Sequence, residues 1–204
     1  MNRIVIAGID TEVGKTAVSA IVAEALSGRY WKPVQCGEPE DRIWVEKQLT
    51  SRGRCFPSSF VFKTPCSLHL AAKNEGLRIE ARDLIPPCCP GFLVIEGTGG
   101  LLAPLNETET WADAAIQWSA RWILVHRHYL GSLNHFALTV EAIQRRKIDL
   151  LGVVFNEAGD RMTEEMLLKR ANCHCLWRLK WQHEWNIPKI ANQWRAALLK
   201  ALGS

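Results

Sequence analysis

Two glycines, a lysine and a threonine near the N-terminus form a group that suits phosphate chemistry. Residues 8–16 read GIDTEVGKT, so a stretch that opens on a glycine closes on a Gly-Lys-Thr triplet. Such glycines allow backbone N–H groups to point at phosphate oxygens, and the N-terminus of a following helix adds partial positive charge. The ammonium group of Lys15 suits the terminal phosphates, and the hydroxyl of Thr16 suits Mg²⁺. The segment therefore predicts a loop that binds a nucleoside triphosphate.

A second lysine stands where a short strand is expected to end. Lys32 directly precedes Pro33, which favours an extended backbone, and residues 29–34 predict a strand. In a parallel sheet this lysine would lie near the phosphate-binding loop. A solvated lysine fits the spacing equally well.

An acidic residue is expected at the end of another strand. Glu96 follows four apolar residues, 92–95, and precedes the glycine-rich turn 97–100. Ligands of open parallel sheets collect at the carboxyl ends of the strands. Together with the phosphate-binding loop, Glu96 indicates the acidic part of an NTPase metal site.

A further group of carboxylates crowds the start of a helix predicted over residues 38–53. It consists of Glu38, Glu40 and Asp41. Negative charge at a helix start stabilises the helix without any further function. One of the three is equally a candidate metal ligand.

Strand and helix patterns alternate along the chain and supply the elements that position these residues. This order predicts one α/β domain over residues 1–204, with a mostly parallel central sheet flanked by helices, of the P-loop NTPase type. The predicted strands cover residues 3–7, 29–34, 92–95, 121–125 and 150–155, and the predicted helices cover 17–27, 38–53, 67–76, 110–119 and 133–146.

Composition is typical of a compact cytoplasmic protein. The chain has 204 residues, of which 48% are hydrophobic and 23% charged, which suits one domain with a sizeable core. The start has no basic flank followed by a long apolar run, so a signal peptide is not expected. No apolar stretch approaches the roughly 18 residues of a membrane span. The seven cysteines follow no framework spacing and favour reduced thiols in a reducing compartment.

The net charge of +4 is concentrated in the C-terminal part. Residues 161–204 hold eight Lys or Arg and three Asp or Glu, so the rest of the chain sums to about −1. A basic segment is one signature of nucleic-acid binding. Three tryptophans at positions 177, 181 and 185 have helical spacing and favour a packed aromatic stripe instead. Neither nucleic acid nor a membrane is therefore expected as a partner.

Several segments together resemble dethiobiotin synthetase, the ATP-dependent carboxylase family of biotin biosynthesis. Their order and spacing cover residues 1 to 157, whereas residues 157–204 diverge. The matching segments are GIDTEVGKT, YWKPVQCG, PCSLHLAA, VIEGTGGLLAPL, LGSLNHFALTVEAI and GVVFNE.

The resemblance implies a reaction and a set of site residues. A 7,8-diaminononanoate takes up carbon dioxide as a carbamate, ATP converts the carbamate into a carbamic-phosphoric anhydride, and ring closure gives dethiobiotin, ADP and phosphate. Lys15 and Lys32 match the catalytic lysines. Thr16, Asp41 and Glu96 match the positions that hold Mg²⁺, although Glu38 or Glu40 could replace Asp41. The ATP-binding positions implied are Glu12, Val13, Gly14, Lys15, Thr16, Ala17, Asp41, Glu96, Gly97, Thr98, Gly99 and Asn156, the last as the adenine contact.

The resemblance also implies a homodimer with a shared active site. Thr11 and Cys36 fall at substrate positions, and Cys36 stands where the family commonly has Ser or Thr. The start of a helix from the second subunit would receive the substrate carboxylate. In this chain that element consists of Gly131, Ser132, Leu133 and Asn134.

Two other functions remain open at this point. The first is a related ATPase of the partitioning type or an amide-forming synthase like cobyrinate amidase. The partitioning type has an extra lysine early in its loop, where this chain has Asp10 and Thr11. The second is a nucleotide-binding protein without catalysis, which would need neither Lys32 nor Glu96.

Overall fold

The computed structural model describes residues 2–157, 159–180 and 182–203. Strands and helices alternate over most of this length. The strands are β1 (Asn2–Gly8), β2 (Arg29–Trp31), β3 (Val34–Cys36), β4 (Phe60–Phe62), β5 (Phe92–Glu96), β6 (Arg121–Arg127), β7 (Leu150–Asn156) and β8 (Cys175–Leu179). The helices are α1 (Lys15–Ala25), α2 (Asp41–Gln48), α3 (Leu68–Asn74), α4 (Trp111–Ala115), α5 (Ser132–Arg145), α6 (Arg161–Ala171) and α7 (Ile187–Leu202).

Six strands form one parallel sheet in the order β2-β5-β1-β6-β7-β8. The central strands are apolar on both faces, as helices on both faces of a sheet require. Residues 4–6 of β1 and 93–95 of β5, for example, are fully buried. The parallel α/β class expected from the sequence is confirmed. Since β1 lies next to β5 and β6, the phosphate-binding loop and Glu96 emerge at the same edge.

A separate two-stranded parallel sheet departs from the expected pattern. The strand expected over 29–34 is divided at Lys32 and Pro33, and its second half, β3, pairs with β4 instead of with the main sheet. Proline lacks the N–H needed to continue a ladder, which explains the division. The strands predicted from the sequence do not include β4.

Two helices are shorter than the sequence predicts. Residues 38–53 contain only α2 (Asp41–Gln48), and residues 110–119 contain α4 followed by a 3₁₀ turn over Ile116–Trp118. In α4, Thr110 and Asp113 form a reciprocal capping box that fixes the helix start. The shortening of α2 leaves residues 37–40 as a loop beside the candidate site.

The C-terminal segment completes the core of the domain. Helix α7 packs against α1, and Trp194 of α7 is 1% exposed. The expected helical tryptophan stripe was wrong: Trp177 lies on β8 and Trp185 precedes α7, while Trp181 lies outside the described residues. Trp177 instead packs against Trp194, with ring centroids 5.3 Å apart. The tryptophans thus join a strand to a helix.

A buried histidine is expected to make the fold sensitive to acid. His126 of β6 is fully buried, and neither ring nitrogen has a hydrogen-bond partner within the described residues. Burial, together with the nearby His128, lowers the pKa of His126 to about 4. In the unfolded chain His126 therefore takes up a proton near pH 6.5, whereas in the folded chain it takes up a proton only near pH 4. The free energy of unfolding is therefore not reduced by His126 above pH 6.5, and it falls as the pH drops towards 4.

The size of this effect can be measured by urea unfolding at pH 7.0 and pH 4.5. One pKa unit corresponds to about 1.4 kcal/mol, so the His126 shift predicts a loss of roughly 3 kcal/mol between pH 6.5 and 4. We expect His126→Leu to lose less stability over this range than the wild type. His69→Leu, at an exposed position of α3, is the matched control. An unchanged pH dependence in His126→Leu would contradict the assignment.

Candidate active site

The loop between β1 and α1 has the backbone geometry of a phosphate cradle. Five residues separate Gly8 from Gly14, one more than in the common form of the motif. The loop turns through left-handed backbone conformations at Glu12 (φ 56°) and Gly14 (φ 96°). A Cβ atom on Gly14 would lie 2.3 Å from Nδ2 of Asn156, so only glycine fits there. The first N–H groups of α1 remain available to an anion because no side chain caps them.

The side chain of Lys15 folds back over this loop. Its Nζ donates to the backbone carbonyl of Asp10 at 2.7 Å, and the residue is 7% exposed. Burial lowers the pKa of Lys15 to about 8, although Glu96 counteracts part of this shift. A charge held in a desolvated position interacts strongly with an arriving phosphate.

The Glu96 carboxylate is the centre of a buried hydrogen-bond network. Oε1 of Glu96 accepts from Oγ1 of Thr16 at 2.8 Å and from Nζ of Lys32 at 3.2 Å. Oε2 accepts from the hydroxyl of Tyr30 at 2.7 Å. Lys32 also forms an ion pair with Asp41. The start of α1 and strand β2 thus meet β5 at one carboxylate, and Lys32 links this carboxylate to α2.

The charge of Lys32 is maintained by its two acidic partners. Burial alone would lower the pKa of Lys32, but the charges of Glu96 and Asp41 outweigh this effect and raise it. Lys32 therefore stays protonated beside the loop. The solvated alternative for this lysine is wrong, because the side chain is only 8% exposed.

These groups line one cavity of about 1060 Å³. Most of the predicted site residues lie on its wall. They are Thr11, Glu12, Gly14, Lys15, Thr16, Ala17, Lys32, Cys36, Asp41, Glu96, Thr98 and Gly99. Glu38 and Glu40, the alternatives to Asp41, also line it. Asp41 differs from them because it pairs with Lys32, whereas Glu40 pairs with Arg42.

The remaining predicted residues lie outside the cavity wall. Val13 and Asn156 support the loop, since the Asn156 amide donates to the Val13 carbonyl at 2.9 Å. The N–H of Gly97 donates to the carbonyl of Ile6 and so holds the β5 turn against β1. Residues 131–134 form the start of α5 and do not line this cavity.

Cys36 faces the cavity as an uncharged thiol. Burial, with a smaller contribution from Cys66, raises the pKa of Cys36 to about 11. A thiol is a weaker hydrogen-bond donor than a hydroxyl. All seven cysteines of the chain are free.

Three residues of this region were absent from the predicted site residues. Tyr30 reaches Glu96 from β2, and Trp44 and Trp185 line the cavity with ring centroids 6.2 Å apart. Tyr30 lies two positions before Lys32, so period-two alternation places both on the same face of a strand. That spacing was the available signal for Tyr30. Trp44 and Trp185 are 141 positions apart in the sequence, so no local sequence pattern could predict their contact.

The donors gathered here have the chemistry that Mg²⁺ requires. Thr16 offers a hydroxyl, and Glu96 and Asp41 offer carboxylates, all of them hard oxygen ligands. Magnesium in NTPase sites is commonly held by one or two carboxylates plus the substrate phosphates. No group of three or more His, Cys, Asp or Glu among the described residues forms a metal site by itself. The hydroxyl of Thr16 and the carboxylates of Glu96 and Asp41 fit a Mg²⁺ ion that binds together with a nucleotide.

The parallel sheet, the loop before α1 and the carboxylate at the end of β5 define a P-loop NTPase. A family model described as "AAA domain" matches residues 2–189. A protein of Christiangramia forsetii named ATP-dependent dethiobiotin synthetase BioD is 42% identical over 178 residues, which cover 86% of each chain. A protein of the same name from Chlamydia pneumoniae is 43% identical over 76% of this chain and 71% of its own. The chain belongs to the dethiobiotin synthetase family.

Solved structures of similar fold are much more distant in sequence. A ParA family ATPase from Chlorobium tepidum has a TM-score of 0.57 at 14% identity, covering all of this chain and 94% of its own. The septum site-determining protein MinD from Pyrococcus horikoshii, complexed with Mg-ADP, has a TM-score of 0.62 at 12% identity over 99% and 97% of the two chains. At such identities the likeness concerns the fold alone.

Proposed function

We propose that the protein closes the ring of dethiobiotin from a 7,8-diaminononanoate, carbon dioxide and ATP, with release of ADP and phosphate. It is then a ligase that forms C–N bonds. The observation that carries this proposal is the convergence of Lys15 and Lys32 on one cavity in a chain of the dethiobiotin synthetase family. Attack of a carbamate on a phosphoryl group brings negatively charged oxygens together, so two adjacent cations suit that step.

The two lysines have different surroundings and therefore different proposed roles. Lys15 lies over the loop and would neutralise the β- and γ-phosphates. Lys32 lies between Glu96 and Asp41 and would organise the carbamate next to the γ-phosphate. Thr11 and Cys36 line the diamine part of the cavity in this proposal. The chain contributes mainly position and charge, as phosphoryl transfer requires.

Mg²⁺ is the proposed cofactor, held by Thr16, Glu96 and Asp41. When bound, such a cation neutralises charge that develops on the phosphate oxygens. Asn156, which supports the loop, is the proposed adenine contact. Carbon dioxide and the diamine are the proposed small-molecule partners, with neither nucleic acid nor a membrane.

We also infer that two chains share each active site. Residues 131–134 do not line the cavity of their own chain, yet they form a helix start that suits a carboxylate. Nearby apolar side chains are exposed, with Leu133 at 43%, Leu138 at 56% and Leu102 at 46%. A smaller cavity of about 260 Å³ lies between α5 and residues 100–103 and shares Gly100 and Ala103 with the main cavity. An apolar surface beside the site supports a homodimer contact there.

The shared site predicts complementation between two inactive variants. One chain carries Lys15→Ala and the other carries Gly131→Glu, which places an acidic group at the helix start. Each homodimer should be inactive because each of its sites contains a damaged element. Random mixing should restore up to about a quarter of wild-type sites, since half the dimers are mixed and each has one intact site. Dethiobiotin formation after subunit exchange measures the recovery.

A second mixture controls for this experiment. Lys15→Ala mixed with Lys32→Gln should show no recovery, because both lysines line the same chain's cavity. Absence of recovery in the Lys15→Ala and Gly131→Glu mixture, with subunit exchange demonstrated by mass spectrometry, would place the whole site in one chain.

The reaction itself is tested by phosphate release with and without the diamine and bicarbonate. The proposed function requires hydrolysis that depends on both substrates and yields dethiobiotin. Steady ATP hydrolysis that depends on neither the diamine nor bicarbonate would favour a switch ATPase. Tight ATP binding without hydrolysis would favour a non-catalytic protein. An amide-forming synthase would instead require an amide nitrogen donor.

A cytoplasmic location is part of the proposal. The seven free thiols suit a reducing compartment. Within the described ranges, no helix combines the length and the apolar character needed to cross a membrane.

A further inference from the structure

Tyr30 is the buried partner of Glu96 that the proposed chemistry leaves without a role. It is fully buried, and Glu96 is 1% exposed. The distance from the Tyr30 hydroxyl to Oε2 of Glu96 is 2.7 Å. An ionised carboxylate only accepts hydrogen bonds, so the hydroxyl is the donor.

The register of the sheet places Tyr30 and Glu96 on one face. Tyr30 stands opposite Val94 of β5, and Glu96 lies two residues further along the same strand. Residues two apart point to the same side of a strand. Tyr30 therefore reaches along β5 to the carboxylate, whereas Thr16 reaches the same carboxylate from the start of α1.

The backbone of Tyr30 is held from both sides. Its N–H donates to the carbonyl of Arg54 at 2.9 Å, and its carbonyl accepts from the N–H of Phe56 at 2.8 Å. On the opposite edge of β2, the strand pairs with β5. The phenol ring is consequently attached to a part of the molecule that has little freedom to move.

The two oxygens of Glu96 have separate partners. Oε2 is occupied by Tyr30, and Oε1 faces Thr16 and Lys32. Without the hydroxyl, Oε2 would be a buried anionic oxygen with its donor removed, and the carboxylate could rotate to regain one. The Tyr30 hydroxyl thus decides which oxygen points at the phosphate-binding loop.

We propose that Tyr30 is a positioning residue that fixes Glu96 with Oε1 directed towards the magnesium and phosphate region of the cavity. The inference rests on the proposed function to the extent that Glu96 is a metal ligand. Hydrogen-bonding partners of metal-ligating carboxylates typically change metal affinity or activity by about 10- to 100-fold when they are removed.

The test measures ATP binding by calorimetry in EDTA and across a Mg²⁺ titration, with no diamine or bicarbonate present. For Tyr30→Phe we expect the ATP dissociation constant in EDTA to stay within about twofold of the wild type. The Mg²⁺ midpoint is the Mg²⁺ concentration that gives half of the metal-dependent gain in ATP affinity. This midpoint should rise about 10-fold or more in Tyr30→Phe. Mn²⁺, which binds such sites more tightly, should recover part of the loss.

The second tyrosine of the chain provides the matched control. The Tyr129 hydroxyl donates to the Asp10 carboxylate at 3.1 Å, outside the Glu96 network. Tyr129→Phe also deletes one hydroxyl from a carboxylate and should leave the Mg²⁺ midpoint unchanged. A double-variant comparison adds a second readout: in a Glu96→Gln background, Tyr30→Phe should not move the midpoint further. The comparison of Glu96→Gln with the double variant can still be made if Tyr30→Phe alone fails to fold, because the double variant buries no unpaired carboxylate.

Three results would overturn the role of Tyr30. The first is an unchanged Mg²⁺ midpoint in Tyr30→Phe. The second is a loss of ATP affinity in EDTA as large as the loss in the presence of Mg²⁺. The third is a shift of the Mg²⁺ midpoint in the Glu96→Gln background as large as in the wild-type background. A wild-type protein that binds ATP equally with and without Mg²⁺ would remove the role together with the metal site. Failure to form dethiobiotin, with the Mg²⁺ dependence and the Tyr30 shift present, would instead reject the proposed reaction and keep the role.

Discussion

Turnover of Lys15→Ala is expected to fall by about 10²- to 10³-fold, the usual cost of losing a preorganised group that stabilises transition-state charge. The ammonium group lies over the phosphate-binding loop in a desolvated position, where its attraction for phosphate oxygens is strong. Alanine keeps the helical backbone of α1 and removes this charge. ATP affinity should fall with turnover, because in the proposed mechanism the group would contact the nucleotide before and during the reaction.

Stability should hardly change in the same variant. Lys15 directly follows a loop, yet it is only 7% exposed. A buried ammonium group whose pKa is lowered by burial is an unfavourable charge, so its removal costs little. We expect a melting temperature within about 4 °C of the wild type, which for a chain of this size corresponds to about 1 kcal/mol.

Phosphate release and differential scanning calorimetry measure the two effects side by side. Lys47→Ala, at an exposed position of α2, controls for loss of a lysine as such. Near-normal turnover in Lys15→Ala would reject the NTPase assignment of the loop. A collapse of the melting temperature would show that Lys15 has a structural role.

Lys32→Gln is expected to separate nucleotide binding from ring closure. Lys32 contacts Glu96 and Asp41, not the loop backbone, so the variant should still bind ATP with Mg²⁺. Dethiobiotin formation should fall by about 10²- to 10³-fold, because under the proposed roles the carbamate would lose its cation. Calorimetry with ATP and Mg²⁺, followed by a dethiobiotin assay, measures both quantities.

An arginine at the same position supplies the informative comparison. Lys32→Arg keeps the charge, but a planar guanidinium group does not replace a compact ammonium group in a buried pocket. We therefore expect no rescue of ring closure. An equal loss of ATP affinity in Lys15→Ala and Lys32→Gln would contradict the division of roles between the two lysines.

Residues whose roles follow from local sequence were found before the structure. The phosphate-binding loop is contiguous, so the order of glycines, Lys15 and Thr16 is enough to predict it. Glu96 was predicted because an apolar run followed by a carboxylate and glycines describes the end of a buried strand. The parallel α/β class followed from the alternation of strands and helices along the chain.

Contacts between distant segments were decided only by the tertiary structure. The bond from Tyr30 to Glu96 joins residues 66 positions apart, and its existence depends on β2 lying beside β5. The separation of β3 from the main sheet depends on its pairing with β4, which no local pattern predicted. Residues 157–204 read as a basic, tryptophan-rich segment, yet they supply α6, β8 and α7. The spacing of side chains in the sequence shows only which residues share a face of one helix or strand. Whether that face is buried depends on which other helix or strand packs against it. That neighbour is chosen by packing of the whole domain.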